Sequence, residues 1–266
     1  MAALICNLPL SAVAGPATPP DTEVAIIEKS DPWYRLAGLY QYFQVDYLDS
    51  ANAATYTIEI ENQFSFAWFD VENRLILDLA DYPAEIKDIE GNPFPVNGAG
   101  SGIGDLLIGT FFAKKNQTSH FHLGIGPIIQ APTASDDNLG TGKWTMGPGL
   151  HLEYHKDKLS AGLFLWNSWS FAGDANRKRV NQLTAKPYFI YQLLDTWSVL
   201  YIPLGISSSW DKPANNRWKV PLGGGVGHKF HAFSREMEFQ AQAFYTAIRP
   251  EKSPEWSLRF TLEMPF

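Results

Sequence analysis

The stretch WSLRFTLEMPF, residues 256–266, divides completely into two columns. Trp256, Leu258, Phe260, Leu262, Met264 and Phe266 form one; Ser257, Arg259, Thr261, Glu263 and Pro265 form the other. Successive side chains of an extended strand point to opposite faces, so the large apolar groups share one face here. Residues 144–155 repeat the pattern: Trp144, Met146, Pro148, Leu150, Leu152 and Tyr154 stand against Thr145, Gly147, Gly149, His151, Glu153 and His155. Residues 56–65 do so again, with Tyr56, Ile58, Ile60 and Phe64 opposite Thr57, Glu59, Glu61, Gln63 and Ser65.

Working outward, segments of this kind between turn signals fall at about 36–47, 55–66, 73–81, 102–114, 119–130, 143–155, 158–170, 179–193, 196–208, 217–230, 237–248 and 256–266. In three of them, 36–47, 102–114 and 196–208, both faces are partly apolar. No helical period competes. A dozen strands in an open sheet would leave long unpaired edges, so the expected fold is all-β: one antiparallel up-and-down barrel closed on itself.

Composition excludes several alternatives. A chain of 266 residues with 45% apolar content is not a disordered protein. A net charge of −7 with no long basic run lacks the footprint of a nucleic-acid binder. No stretch approaches the ~20 consecutive apolar residues of a membrane-spanning helix. A membrane barrel is not excluded, because its alternating strands average to a modest hydropathy.

The apolar columns face either a neighbouring sheet, as in a soluble sandwich, or lipid, as in a membrane barrel. Strand length favours lipid. Ten steps of ~3.3 Å, tilted by ~40°, cover roughly 25 Å, the height of a lipid-facing band flanked by aromatic girdles. Trp144, Tyr154, Trp256 and Phe266 are the expected girdle residues. Loop lengths favour it too: the odd connections, about 48–54, 82–101, 131–142, 171–178, 209–216 and 249–255, include every long one. The even connections, about 67–72, 115–118, 156–157, 194–195 and 231–236, are short. Outer-membrane barrels sort their connections in this way, with short periplasmic turns and longer extracellular loops. The strand ending at Phe266 resembles the signal such barrels present to the barrel-assembly machinery.

Residues 1–14, MAALICNLPLSAVA, read as an export signal with an A-x-A cleavage site at Ala12-Val13-Ala14, although no basic residue opens them. Cleavage there would remove Cys6, the single cysteine. The expected organisation is a signal peptide over 1–14, a periplasmic segment over 15–35 and a barrel over 36–266, placed in the cell outer membrane.

The segments GSGIGDLL (100–107), GIGP (124–127), QAPTASDDNLGTGKW (130–144), WSFAGD (169–174), VNQ (180–182) and PEWSLRF (254–260) resemble an outer-membrane family named for the meta-pathway of phenol degradation. The resemblance covers roughly 100–266; residues 30–100 match poorly. It implies an outer-membrane barrel that passes hydrophobic or aromatic compounds.

With lipid outside, the polar column becomes the lumen wall. Its expected members include Glu59, Glu61, Asp78, Thr145, His151, Glu153, Gln182, Thr184, Lys186, Glu238, Gln240, Gln242, Arg259 and Glu263. Acids outnumber Lys and Arg among them, which favours cations in an open pore. Either these groups line a solute path or they pair across strands and plug the barrel. A hairpin centred near Asp136 and Asp137 would set His122 opposite His151 and His120 opposite Glu153, with His155 beyond. Such imidazoles could hold Zn²⁺ or Cu²⁺; the simpler reading makes them hydrogen-bonding groups of a polar wall. Ser168, Ser170 and Asp174 come with no G-x-S-x-G or other nucleophile motif, so no enzyme is expected. The sequence therefore leads to a passive channel or transporter for small solutes in a lipid bilayer, needing no cofactor and no nucleic acid. A closed-lumen structural or binding barrel is the alternative, and a lipid-modifying barrel enzyme a more remote one.

Overall fold

A computed structural model describes residues 35–48, 51–66, 68–82, 100–114, 120–203, 205–232, 235–250 and 255–265. The expected signal peptide and the Phe266 girdle position lie outside them, as does all of the segment 15–35 except Arg35. The strands are β1 (Arg35–Leu48), β2 (Ala51–Ser65), β3 (Phe69–Tyr82), β4 (Gly100–Ile103), β5 (Leu106–Lys114), β6 (Phe121–Ala131), β7 (Lys143–Lys156) and β8 (Leu159–Gly173). They continue as β9 (Asn181–Gln192), β10 (Trp197–Tyr201), β11 (Ile206–Ser209), β12 (Trp218–Ala232), β13 (Arg235–Ile248) and β14 (Trp256–Pro265). No helix among the described residues is long and apolar enough to cross a membrane.

All pairings are antiparallel, and the sheet closes: β14 pairs with β1 as well as β13, and β12 pairs with β13. Fourteen strands occupy twelve positions around the wall. β4 and β5 both lie on β3, and β10 and β11 both lie between β9 and β12, so each pair is one interrupted stave. A closed meander leaves no edge strand to protect.

Burial decides which column faces outward. In β14 Leu258 and Phe260 are 37% and 41% exposed, whereas Ser257, Arg259 and Thr261 are all buried. In β7 Trp144 and Met146 are exposed while Thr145 between them is wholly buried. A soluble sandwich would show the reverse. Exposed apolar side chains continue around the wall, among them Ile125, Ile129, Phe189, Leu222, Val226 and Phe239. An apolar belt of this extent is a surface solvated by hydrocarbon. Exposed aromatics border it at the long-loop end (Trp144, Trp169, Phe171, Tyr245) and at the short-turn end (Trp68, Phe121, Trp197). Asn62, Asn73 and Thr110, on three neighbouring strands, hydrogen-bond to one another at 2.9 Å, so these polar side chains satisfy themselves within the wall.

Three sequence expectations need correction. The β1–β2 connection is only residues 49–50, shorter than the expected 48–54. β3 begins at Phe69 rather than 73, which converts Asp70 and Glu72 from loop to strand. The β6–β7 register pairs His122 with Glu153 and Gly124 with His151, not His122 with His151 or His120 with Glu153. The cause lies in the loop: Asp136 Oδ1 accepts from Asn138 N, and Leu139 N donates to Asp136 O, closing a turn over 136–139. That turn centres one residue later than expected. A one-residue shift of centre slides the register by two and leaves each side chain on its face.

Candidate functional site within the barrel

The inner face is not uniformly polar. Ile76 (β3), Phe111 (β5), Ile128 (β6), Phe164 and Trp166 (both β8) form one buried apolar cluster, with Leu107 packed against it. Phe111 and Phe164 meet edge to face at 5.7 Å, and Phe164 lies 4.6 Å from Trp166. This inward cluster explains why 102–114 lacked a clean alternation: its inner positions are apolar as well as its outer ones.

Two cavities of the interior are lined by described residues. The larger, about 440 Å³, is lined by Thr57, Glu59, Asp78, Lys186, Tyr188, Gln240, Gln242, Arg259, Thr261 and Glu263, with Ile76 and Phe164 as its apolar side. The smaller, about 240 Å³, is lined by Glu61, Gln63, Glu72, Phe111, His122 and Glu153. Arg74 and His151 border both, and their side chains approach to 3.4 Å.

Arg74 is the hub between them. Its Nε lies 3.1 Å from Glu59 Oε1 and its Nη2 pairs with Glu61, both on β2. The guanidinium also sits 5.4 Å from the Phe164 ring centroid. Opposite, His151 Nε2 is 3.1 Å from Glu153, and Tyr188 donates its hydroxyl hydrogen to Glu153 at 3.4 Å. Glu72 reaches over β5 to the histidines, 2.5 Å from His122 Nε2 and 3.6 Å from His151 Nδ1. Gly124 leaves room for that reach, since a Cβ there would stand 2.9 Å from Phe111 Cβ and 3.6 Å from Glu72 Oε2.

The opposite wall carries an interruption. Between β10 and β11 the chain turns inward, and Ile202 and Pro203 line the larger cavity. Ile202 N donates to Gln242 Oε1 at 2.9 Å, and Arg259 Nη1 donates to Ile202 O at 2.8 Å. Pro203 has no N–H for the ladder, and Gly205 at φ +138° takes a backbone conformation side chains disfavour. The 196–208 segment was expected as one continuous strand; this inward turn is why its two faces did not separate.

Of the residues expected in the lumen, Glu59, Asp78, Lys186, Gln240, Gln242, Arg259 and Glu263 line the larger cavity. Glu61, His151 and Glu153 line the smaller one. Glu238 accepts from Gln240, while Gln182 and Thr184 hydrogen-bond to each other away from both cavities. His120 and His155 are exposed at the short-turn rim, where His120 Nδ1 meets the His155 carbonyl at 3.1 Å. They stand outside the His122–His151–Glu72 group, whose ligand atoms lie within 4.8 Å of one another. Tyr154 and Trp256 are half-buried. Glu72 and Arg74 were not anticipated; extending the alternation of β3 back from Asp78 by twos would have reached both.

Two of the quoted family segments, 100–107 and 130–144, meet at the long-loop rim. Asp105 accepts from Thr141 N at 2.7 Å, Thr141 Oγ1 at 3.0 Å, Gln130 Nε2 at 3.0 Å and Ala134 N at 3.2 Å. Arg177 donates to the carbonyls of Asp137, Gly140 and Thr141, fastening the 174–180 loop to the 132–142 loop.

The model of the family described as "Putative MetA-pathway of phenol degradation" matches residues 34–230. It thus takes in the first three strands, where the motif resemblance gave out, and stops short of 254–260. No curated protein matches the chain. Among solved structures, an outer membrane channel from Pseudomonas putida F1 is similar at 15% identity and TM-score 0.59, covering 90% of this chain and 100% of its own. The NanC porin is similar at 11% identity and TM-score 0.52, covering 85% of this chain and 98% of its own. Both likenesses concern the fold.

Proposed function

Because this chain belongs to the MetA-pathway family of phenol degradation, we propose that it is a passive outer-membrane channel for small solutes carrying an apolar or aromatic ring. The observation that carries this reading is the cavity of about 440 Å³, in which Ile76 and Phe164 face Gln240, Gln242 and Arg259. That volume lies within the ~300–1,000 Å³ of small-molecule sites, and its mixed lining suits a ring bearing a polar substituent. The apolar exterior, the aromatic borders and the sorted connections place the barrel in an outer membrane, with short turns toward the periplasm. On this reading β14 is the recognition segment for the barrel-assembly machinery.

Catalysis is not part of this reading. His155 Nδ1 meets Ser160 Oγ at 3.0 Å, but Glu153 stands 3.7 Å from His155 and is engaged by His151 at 3.1 Å. Ser160 therefore lacks a base oriented by a third group. The Arg74–His151 contact between the two cavities supports a second reading, a barrel that binds solute without conducting it.

Vesicles with a lipopolysaccharide outer leaflet separate the two. Purified barrel is expected to raise phenol entry severalfold over barrel-free vesicles while leaving disaccharide entry unchanged. Phe164→Lys, which puts a charge on the apolar side of the cavity, is expected to remove the gain. Phenol binding without faster entry would replace the channel by the binding barrel. Equal entry of phenol and disaccharide would make it a general pore.

A further inference from the structure

We infer that His122, His151 and Glu72 form a binding site for a divalent transition-metal ion of the zinc type, inside the lumen near the short turns. The inference is independent of the transport reading and stands on four observations.

The first is the donor set. Two imidazole nitrogens and a carboxylate oxygen, on β6, β7 and β3, come within 4.8 Å of one another. Tetrahedral zinc at ~2.0 Å from its ligands holds them about 3.3 Å apart, within reach of small side-chain rotations here. Two nitrogens in three select a borderline transition metal over Ca²⁺ or Mg²⁺, which take oxygen. The second is the closest contact in the group. His122 Nε2, removed from solvent, stands 2.5 Å from Glu72 Oε1. An ion bound to both atoms would replace this direct contact and hold them about 3.3 Å apart.

The third is the support around His151. Its Nε2 faces Glu153 at 3.1 Å, which leaves Nδ1 toward Glu72. An imidazole with one nitrogen on a metal and the other donating to a carboxylate is the ordinary arrangement at such sites. The fourth is charge. With both imidazoles neutral, as ligation requires, Glu72 and Glu153 beside them keep their negative charge, while Arg74 is already ion-paired with Glu59 and Glu61. A divalent cation redresses that excess. The cavity of about 240 Å³ beside the three ligands gives it a path in and room for a water as fourth ligand.

The competing arrangement places a proton on each histidine and makes the cluster an ion-pair network with no metal affinity. Calorimetric titration of the detergent-solubilised barrel with Zn²⁺ tells them apart. One ion per barrel is expected, and His122→Ala, His151→Ala and Glu72→Gln should each weaken binding at least tenfold. His155→Ala, at the exposed rim, should leave it unchanged. Heat-modifiable gel mobility verifies that each variant is folded. Should a variant fail that check, Co²⁺ added to the wild type is expected to give visible ligand-field bands that Zn²⁺ abolishes. Wild-type binding no tighter than that of the folded variants, or a wild type giving no such bands, overturns the inference.

Discussion

Phe260→Arg is expected to cost the folded barrel about 2–4 kcal/mol and to lower the fraction that assembles, measured by reversible unfolding from bilayers and by heat-modifiable mobility. Phe260 sits halfway along β14, is 41% exposed and stacks with Phe239 at 6.4 Å on the outer face. A guanidinium there would meet hydrocarbon at the middle of the band, with no partner. Gln240→Lys is the control. Gln240 is buried on the inner face, 2.9 Å from Glu263 and 3.3 Å from Glu238, so an ammonium there gains two carboxylates and should cost far less. The same charge at two positions on neighbouring strands thus has very different costs, depending on which side of the wall it occupies. Similar losses for both variants would contradict the assignment of faces.

Arg74→Ala is expected to have the second large effect, in two directions at once. It strips Glu59 and Glu61 of their cation, and breaking a largely buried pair in this way costs about 3 kcal/mol or more. It also removes the side chain that meets His151 between the two cavities, which would join them. Planar-bilayer recordings should show a higher single-channel conductance and a stronger preference for cations, because the interior loses a positive charge among its acids. Arg74→Lys keeps the charge but not the fork that grips both glutamates, and should fall between. Unchanged conductance in a folded Arg74→Ala barrel would remove Arg74 from any role in solute passage.

These expectations depend on features the sequence displayed unevenly. Where the inner face is polar and the outer apolar, as in β7 and β14, alternation alone assigns strand and face. Where inner residues join the Phe111–Phe164 cluster, both faces are apolar and the period fades, although the strands are equally regular. The inward turn of Ile202 and Pro203 left no periodic trace, since its cause is tertiary: two side chains from β13 and β14 hold a carbonyl and an amide that a strand would otherwise use. Glu72 was lost to a boundary error of four residues, because the connection was expected to run from 67 to 72. The meeting of Glu72 with His122 and His151 could not be read locally at all. It requires the register of β6 on β7, fixed by the Asp136 turn, and the clearance that Gly124 leaves over β5. Strand count and facing are local properties of this chain, whereas its interior chemistry is a property of the closed sheet.

Hydrocarbon solvates the outer columns, and thiol accessibility tests this most directly. Cys6 is the single cysteine, so with it replaced, Leu258→Cys and Thr261→Cys place one reporter on each face of β14. In proteoliposomes, a small charged methanethiosulfonate is expected to label Thr261→Cys through the lumen and spare Leu258→Cys. A fluorophore carried on Leu258→Cys should be quenched by brominated lipid tails. Labelling of Leu258→Cys by the charged reagent, with no quenching by lipid, would contradict the account.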